Sequence, residues 1–174
     1  SLLIPEEYGG MGGSTLDYAV LLEELAAGDI GMANAFHVVM SMSEMIARMG
    51  TKEQCERWLV PVANDSSGTH LICFGATEPS GGSEIFCPLA DPKLGTRTRA
   101  RRDGDHYVIN GSKVYSSNAS VSRLYGLLAR SDSDRANSES CSVFFFPADT
   151  PGFSVGTIED KMGHRASMNG ELIF

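Results

Sequence analysis

The sequence has no excess of positive charge, no basic targeting segment and no hydrophobic run long enough for a membrane span. Its 174 residues carry a formal net charge of -8, which repels phosphate backbones and argues against nucleic-acid binding. No apolar run approaches the roughly 20 residues of a transmembrane helix, so no membrane span is expected. The first residues also lack the basic segment and cleavage signal of a secretory signal peptide.

Paired cysteine motifs are absent as well. None of the four cysteines lies in a CxxC pair, and three of them occur in apolar or helical surroundings. This pattern predicts reduced, buried thiols in a reducing compartment. No pair among the cysteines and the four histidines has the spacing of metal ligands, so a metal site is not expected.

The first sixty or so residues have helical periodicity. The overall composition, 42% hydrophobic and 21% charged, is that of a soluble globular protein. Three helices are predicted from apolar spacing and from capping residues. The expected caps and stops, in chain order, are Ser14 with Asp17, Gly28, Gly50, Thr51 with Gln54, and Pro61.

Five of the eight methionines lie in the second predicted helix. Methionine fills irregular space, so this helix could form one wall of an adaptable apolar ligand cavity. The alternative, which helical spacing of apolar residues favours, is an ordinary helix–helix core. The residues concerned are Met32, Met40, Met42, Met45 and Met49.

After a polar break at 65–68, the pattern changes to seven or eight short strands separated by turns. Such spacing predicts an all-β barrel or sandwich. We therefore expect an α+β chain, with a partial helical domain over 1–66 and a β domain over 67–174. The candidate strand segments are 70–76, 97–102, 106–110, 113–117, 124–129, 142–146, 153–155 and 171–174.

One strand runs into a loop of small residues, from Phe74 to Ser83. Such a loop exposes backbone N–H groups, to which an anionic or planar ligand can come close. A plain hairpin loop rich in Gly and Ser would have the same composition. Other segments are needed to separate the two interpretations.

Five segments in the right order resemble the acyl-CoA dehydrogenase family of flavoproteins, and the resemblance extends along essentially the whole chain. The loop matches the family signature TEPxxGS(D/E), and a predicted hairpin matches GDxYxINGxK. The five segments are 4–10, 23–26, 77–84, 104–113 and 161–165.

The resemblance implies an FAD-dependent oxidoreductase that removes two hydrogens from the Cα–Cβ bond of an acyl-CoA thioester. It implies electron-transfer flavoprotein as the electron acceptor and a homo-oligomer, either dimer or tetramer. The expected compartment is the cytoplasm, with the mitochondrial matrix as the alternative. The family's catalytic glutamate lies in a C-terminal helical domain to which nothing here corresponds. We therefore assign no catalytic residue and expect a fragment that is inactive alone.

The resemblance also implies roles for particular residues. The first four residues of the loop would meet the polar edge of the flavin, and the loop end, with Ser83, would approach FAD phosphate and acyl-CoA. The segment 115–117 corresponds to a Trp-Ile-Thr segment beside the flavin ring, whose hydroxyl donates toward N5. Ser131 matches a serine that contacts CoA. The implied cofactor-binding residues are Phe74, Gly75, Ala76, Thr77, Ser83, Tyr115, Ser116 and Ser117, and the implied substrate-binding residues are Ser83 and Ser131.

Two departures from the family pattern leave the reaction and substrate open. Tyr115 replaces Trp, and Ser116 with Ser117 replaces Ile-Thr. The segment 85–94 resembles an insertion that could reshape the entrance for CoA. A flavin oxidase or monooxygenase on the same fold, or a non-catalytic acyl-CoA-binding subunit, are therefore alternatives.

Overall fold

The computed structural model describes residues 1–83, 91, 94–132 and 134–174. Most of the predicted insertion at 85–94, and with it Cys87, lies outside the described residues, as does Glu84 of the signature segment. A short 3₁₀ turn at Glu6–Tyr8 precedes the helices. The helices are α1 (Thr15–Gly28), α2 (Ile30–Met49), α3 (Lys52–Ala63) and the single-turn α4 (Asn137–Ser140).

Both predicted capping boxes are confirmed. The Ser14 side chain accepts the Asp17 N–H while the Asp17 carboxylate accepts the Ser14 N–H, and Thr51 and Gln54 make the reciprocal pair at α3. Satisfying these N-terminal N–H groups fixes where each helix begins. Helix α3 continues two residues beyond Pro61.

A single residue, Asp29, joins α1 to α2. Its N–H donates to Leu25 O at 2.9 Å, which caps the end of α1. Its carboxylate accepts the Met32 N–H at 2.8 Å, which caps the start of α2. The sequence predicted that Gly28 would end α1. Gly28 is the last residue of the helix but has no positive φ, and the residue that caps the helix end is Asp29.

Within the described residues, eight strands follow and form two sheets. The first sheet contains five strands and the second contains three. The strands are β1 (Ile72–Gly75), β2 (Arg99–Asp103), β3 (His106–Asn110), β4 (Ser112–Ser116), β5 (Leu124–Arg130), β6 (Cys141–Pro147), β7 (Ser154–Ile158) and β8 (Gly170–Ile173).

Strand β5 organises the larger sheet. It pairs antiparallel with β6 along its whole length and parallel with β1 from Ile72↔Leu124 to Gly75↔Leu127. Strand β2 meets it at Arg99↔Arg130 and continues into the β2–β3 hairpin. The smaller sheet has the order β4-β8-β7. The described strands thus form two open sheets rather than a closed barrel, so the predicted β domain is barrel-like only in a loose sense.

Alternate residues of β1 and β5 face two different cores. Ile72 and Leu124 pack with Val39, Ile46 and Leu59 of the helices. Their chain neighbours, Cys73 and Tyr125, pack with Leu172 of the smaller sheet. The larger sheet therefore lies between a helical layer and a second sheet, as the period-two alternation of strands allows.

Three further properties belong to the described residues alone. Among these, no helix is long and apolar enough to cross a bilayer. No cluster of three His, Cys, Asp or Glu side chains that could hold a metal ion occurs in the same set of residues. The thiols of Cys55, Cys73 and Cys141 are free.

The polar break before β1 is organised by Asp65. Its carboxylate accepts the His70 N–H at 2.6 Å and the Ser67 hydroxyl, also at 2.6 Å. The His70 N–H and the Ser67 hydroxyl hold the pKa of the Asp65 carboxyl well below its usual range. The charged carboxylate therefore stabilises the entry into the β domain.

This depressed pKa predicts a pH dependence of stability. The contribution of Asp65 is fully present above its unfolded pKa of about 4 and is lost as the pH falls through the lower folded value. Asp65→Asn should lower the thermal midpoint at pH 6, and the difference from wild type should shrink toward pH 2. Thermal unfolding across this range tests it, with the exposed Asp149→Asn as the control. A difference independent of pH would contradict the assignment.

Candidate functional site

The loop after β1 closes on itself in a tight turn. The N–H of Glu78 donates to Gly81 O at 2.8 Å, and the Gly81 N–H returns to Glu78 O at 3.1 Å. The turn leads into Gly82 and the exposed Ser83. A Cβ placed on Gly82 would lie 3.5 Å from the Thr77 methyl group, so the end of the loop adjoins its beginning.

A buried ion pair anchors this loop to β4. Lys113 Nζ lies 2.9 Å from Glu78 Oε1 and donates to Ala76 O at 3.0 Å. The two side chains are 0% and 3% exposed. Gly75 makes room for the lysine stem, because a Cβ there would come within 2.9 Å of Lys113 Cγ. Thr77 is therefore held between two residues that Lys113 fixes.

Backbone groups complete the environment of the Glu78 carboxylate, which accepts the N–H groups of Arg97 and Thr98 at 2.7 Å each. Burial raises the pKa of Glu78, but the donors from Thr98, Lys113 and Arg97 outweigh it, and the pKa lies below its ordinary value. Burial also lowers the pKa of Lys113, and the Glu78 carboxylate offsets part of this effect. The convergence of donors on Glu78 favours the charged pair.

The predicted residues of the loop and of β4 lie side by side. The Val114 N–H donates to Thr77 O at 2.9 Å, and Asn118 Nδ2 donates to Ile72 O at 3.2 Å. The two hydrogen bonds show that β4 and the residues after it lie antiparallel to β1 and the residues after that strand. Residues 115–117 therefore lie alongside residues 74–76. The structure thus brings together two segments that are forty residues apart in the chain.

A bulge turns Tyr115 outward. The β4–β8 register shifts between Lys113 and Ser116, and Tyr115 has a φ of +59°. A left-handed conformation is rare for a bulky residue and costs roughly 1–2 kcal/mol. The Tyr115 carbonyl accepts Asn169 Nδ2 at 2.7 Å, which helps to hold this conformation. The ring is 61% exposed and free to stack on a planar ligand.

Two serines follow the bulge and point in different directions. The Ser116 side chain is buried, and its hydroxyl has no partner among the residues described. The Ser117 hydroxyl is only partly buried and accepts Asn34 Nδ2 at 3.1 Å and Asn169 Nδ2 at 3.2 Å. Ser117, rather than Ser116, therefore offers a side chain on the side where Tyr115 lies.

Thr77 offers the other donors of the site. Its carbonyl is used by Val114, while its N–H and hydroxyl make no hydrogen bond within the described part of the chain. Both groups are available to a polar ligand edge. Phe74 and Ala76 are half-buried and Gly75 is buried, so the contribution expected of these three rests mainly on their backbone.

Ser131 lies apart from this cluster but at the same edge of the sheet. It directly follows β5, which runs parallel to β1, so both strands end in the same direction. Its N–H and hydroxyl both donate to Ser140 O, at 2.8 and 3.0 Å. Its hydroxyl proton is therefore engaged, and the role toward CoA stays a prediction.

The methionines of α2 divide between core and cavity. Met40 is buried and Met42 packs against the helical core, whereas Met45 and Met49 line a cavity of about 440 Å³ with Trp58. Met40 also borders a second cavity of about 380 Å³. Neither cavity is lined by residues of the loop or of 115–117, so neither belongs to the site described above.

Several residues that shape the site were not assigned a role from the sequence. Glu78 is a fixed position of the TEPxxGS(D/E) motif and Lys113 is a fixed position of the GDxYxINGxK motif. Their place in these motifs could have indicated that both residues have a role in the site. Asn118 follows the segment 115–117 directly. Asn34 and Asn169 have no local signal, because only tertiary contact brings their amides to Ser117.

Comparison with known proteins accounts for this arrangement. A sequence model described as "Acyl-CoA dehydrogenase, middle domain" matches residues 73–174, and one described as "Acyl-CoA dehydrogenase, N-terminal domain" matches residues 1–66. The chain belongs to the acyl-CoA dehydrogenase family. The helical layer is thus N-terminal-domain sequence, and both β-sheets are middle-domain sequence of that family.

Individual relatives agree with this membership. The probable acyl-CoA dehydrogenase YngJ of Bacillus subtilis is 39% identical over 171 residues, covering 97% of this chain and 42% of the relative. A structure described as an electron transferring flavoprotein of Acidaminococcus fermentans matches with a TM-score of 0.87 and 37% identity over 99% of this chain and 43% of that one. The structure of a glutaryl-CoA dehydrogenase from Mycobacterium smegmatis in complex with FADH2 matches with a TM-score of 0.78 and 34% identity. This match covers 95% of this chain and 39% of that one. The chain spans about two fifths of the length of these three relatives and neighbours.

Proposed function

We propose that this chain is the flavin-facing part of an FAD-dependent acyl-CoA dehydrogenase. The observation that carries the proposal is the placement of Tyr115 and Ser117 alongside Phe74–Ala76, next to the unused donors of Thr77. This face combines an exposed aromatic ring with N–H and hydroxyl donors, which suits a planar ligand with polar ring atoms. The similarity to a glutaryl-CoA dehydrogenase in complex with FADH2 supports FAD as that ligand.

Each group on this face would have its own task. The Tyr115 ring would pack near the flavin ring, and the Thr77 N–H and hydroxyl would bind a polar ring edge. The Ser117 hydroxyl would donate a hydrogen bond toward N5, where negative charge grows on reduction. The chemistry that FAD would supply is acceptance of a hydride from the β carbon of the acyl thioester. Ser83 and Ser131, at the same edge, would contact phosphate groups of FAD or CoA.

The remaining parts of the reaction would come from a longer polypeptide of the length of the relatives. We assign no catalytic base to this chain. Its buried carboxylate at the site, Glu78, is occupied by Lys113 and two backbone N–H groups. The base that removes the α-proton would lie in a further helical domain. Electron-transfer flavoprotein would take the electrons, which agrees with the similarity to the Acidaminococcus structure, and the full protein would be a homo-oligomer.

Replacing the Ser117 hydroxyl tests the proposed flavin contact. In the full-length protein loaded with FAD, Ser117→Ala should slow flavin reduction by acyl-CoA about ten- to a hundredfold, because a donor aimed at developing charge is lost. The dissociation constant of acyl-CoA should change much less, and Ser117→Thr should retain most of the rate. Stopped-flow absorbance of the flavin measures the rate.

The exposed Ser154→Ala on β7 is the matched control and should behave as wild type. A full-length protein that takes up no FAD would remove the proposal altogether. An unchanged reduction rate in Ser117→Ala would remove the N5 contact but leave the family function in place. Rapid reaction of the reduced flavin with oxygen would favour an oxidase on the same fold.

A further inference from the structure

The Ser117 hydroxyl is surrounded by donors on the protein side. Asn34 Nδ2 from α2 lies 3.1 Å from Ser117 Oγ, and Asn169 Nδ2, just before β8, lies 3.2 Å from it. A serine hydroxyl has two acceptor lone pairs and a single proton to donate. With both lone pairs used by amide N–H groups, the remaining direction is that of the O–H bond.

Lys161 fixes the orientation of the Asn169 amide. The lysine ammonium donates to Asn169 Oδ1, while Asn169 Nδ2 donates to Tyr115 O at 2.7 Å. A flipped amide would direct its NH₂ group at the ammonium and its oxygen at the Tyr115 carbonyl. Lys161 is itself held by the carbonyls of His164 and Ser167, at 2.7 Å each. Asn169 must therefore present a donor to Ser117.

The proton of the Ser117 hydroxyl has no acceptor within the described residues. If Asn169 presented an acceptor instead, this proton would turn toward the protein. The orientations of the Asn34 and Asn169 amides thus decide whether Ser117 donates inward or outward. The Asn169 amide is in turn oriented by the Lys161 ammonium, which makes no contact with Ser117, together with the Tyr115 carbonyl.

We propose that Lys161 and Asn169, with Asn34 as a third member, are positioning residues that oblige Ser117 to donate its hydrogen bond to the flavin. This inference rests on the proposed function, since it takes FAD as the acceptor. It adds that the donor is imposed by a hydrogen-bonded chain Lys161–Asn169–Ser117 and not by the serine alone. Tyr115 belongs to the same arrangement, because Asn169 holds its carbonyl in the left-handed bulge.

A double-mutant cycle between Ser117 and Asn169 tests the proposal. In the full-length protein, Ser117→Ala should weaken FAD binding about five- to tenfold, as expected for one lost hydrogen bond. Asn169→Asp puts an acceptor beside Ser117 while keeping the contact with Lys161, and should weaken FAD binding by a comparable factor. In the Ser117→Ala background, Asn169→Asp should have a smaller effect, limited to the lost contact with the Tyr115 carbonyl, because no hydroxyl remains to be turned. FAD titration by flavin fluorescence gives the dissociation constants, and the visible spectrum of the bound flavin should shift in the same non-additive way.

Lys161→Met is the second variant and should show the same pattern to a smaller extent, since it removes one of the two groups, Lys161 Nζ and Tyr115 O, that orient the Asn169 amide. Asp160→Asn, which removes an exposed charge one residue away, is the control and should not change the dissociation constant of FAD. The inference would be overturned if Asn169→Asp changed the dissociation constant of FAD by the same factor with and without the Ser117 hydroxyl. The added charge or a less ordered site would then explain the change. In that case, FAD binding by the wild type would still support the proposed function. Failure of the unaltered protein to bind FAD would overturn both.

Discussion

Lys113→Met is expected to lower the free energy of unfolding by about 3–5 kcal/mol, which is the usual cost of removing one partner from a buried ion pair. The remaining Glu78 carboxylate would stay in a site where it is 3% exposed, retaining only the N–H groups of Arg97 and Thr98. Ala76 O would lose its donor as well. Chemical denaturation of the flavin-free, full-length protein measures the loss.

Two further variants separate the charge from the packing. Lys113→Met combined with Glu78→Leu removes both charges and should recover much of the lost stability, since apolar replacement of a whole buried pair is often nearly neutral. Asp103→Asn breaks the exposed pair of Arg101 and Asp103 and should cost no more than about 1 kcal/mol. A loss of the same size in Lys113→Met and Asp103→Asn would show that the buried pair has no special role.

The same substitution should affect the site. Lys113 holds Ala76 on one side of Thr77 and Glu78 on the other, so its loss loosens the loop that carries the unused donors. FAD binding should therefore weaken in Lys113→Met even under conditions where the protein remains folded. Wild-type FAD affinity in the folded variant would separate the anchoring of the loop from the proposed flavin contact.

Asn118→Ala is the second substitution with a large expected effect, about 3–5 kcal/mol. Asn118 is buried, and its Nδ2 donates to Ala35 O of α2 at 3.0 Å and to Ile72 O of β1 at 3.2 Å. The buried Ile72 carbonyl and the partly buried Ala35 carbonyl would each lose the Asn118 donor, at roughly 1–3 kcal/mol for the buried group and less for the other. Asn118 also has a φ of +62°, where alanine adds about 1–2 kcal/mol of strain.

Asn118→Gly tests these two causes separately. Glycine adopts a positive φ without steric cost, so this variant should lose the hydrogen bonds but avoid the strain and be less destabilised than the alanine variant. Asn64→Ala is the matched control, because its exposed amide donates to a single carbonyl at the end of α3. Denaturation midpoints of the three variants decide the matter. A glycine variant as unstable as the alanine variant would show that backbone strain contributes nothing.

Local chemistry made part of the fold predictable. The capping boxes at Ser14 and Thr51 set two helix starts, because the cap and its partner are three residues apart in the chain. The hairpin strand at 106–110 was predicted with its observed bounds, because Gly104, with a φ of +61°, marks the turn before it. Such features need only neighbouring residues to form.

Features that depend on distant partners could not be derived from local patterns. The parallel pairing of Ile72 with Leu124 joins residues 52 positions apart, and nothing in either strand specifies the other. The bulge at Tyr115 depends on Asn169, and the burial of Lys113 depends on Glu78. The resemblance to the acyl-CoA dehydrogenase family indicated which residues form the site. The direction in which each of their donors points follows only from the contacts in the folded structure.

The single-residue joint at Asp29 has a consequence for how this family can tolerate changes in length. Because Asp29 ends one helix and starts the next, there is no flexible linker between them that could accommodate an extra residue. One residue inserted into the first turn of α2 would rotate the helical residues before it by about 100° and shift them by about 1.5 Å relative to those after it. If α1 kept its position, Asn34 would lose its contact with Ser117. If Asn34 kept that contact, α1 would have to change its position. Insertions and deletions should therefore be rejected at this corner in any selection for flavin binding, although it lies on the exposed surface where loops usually accept them.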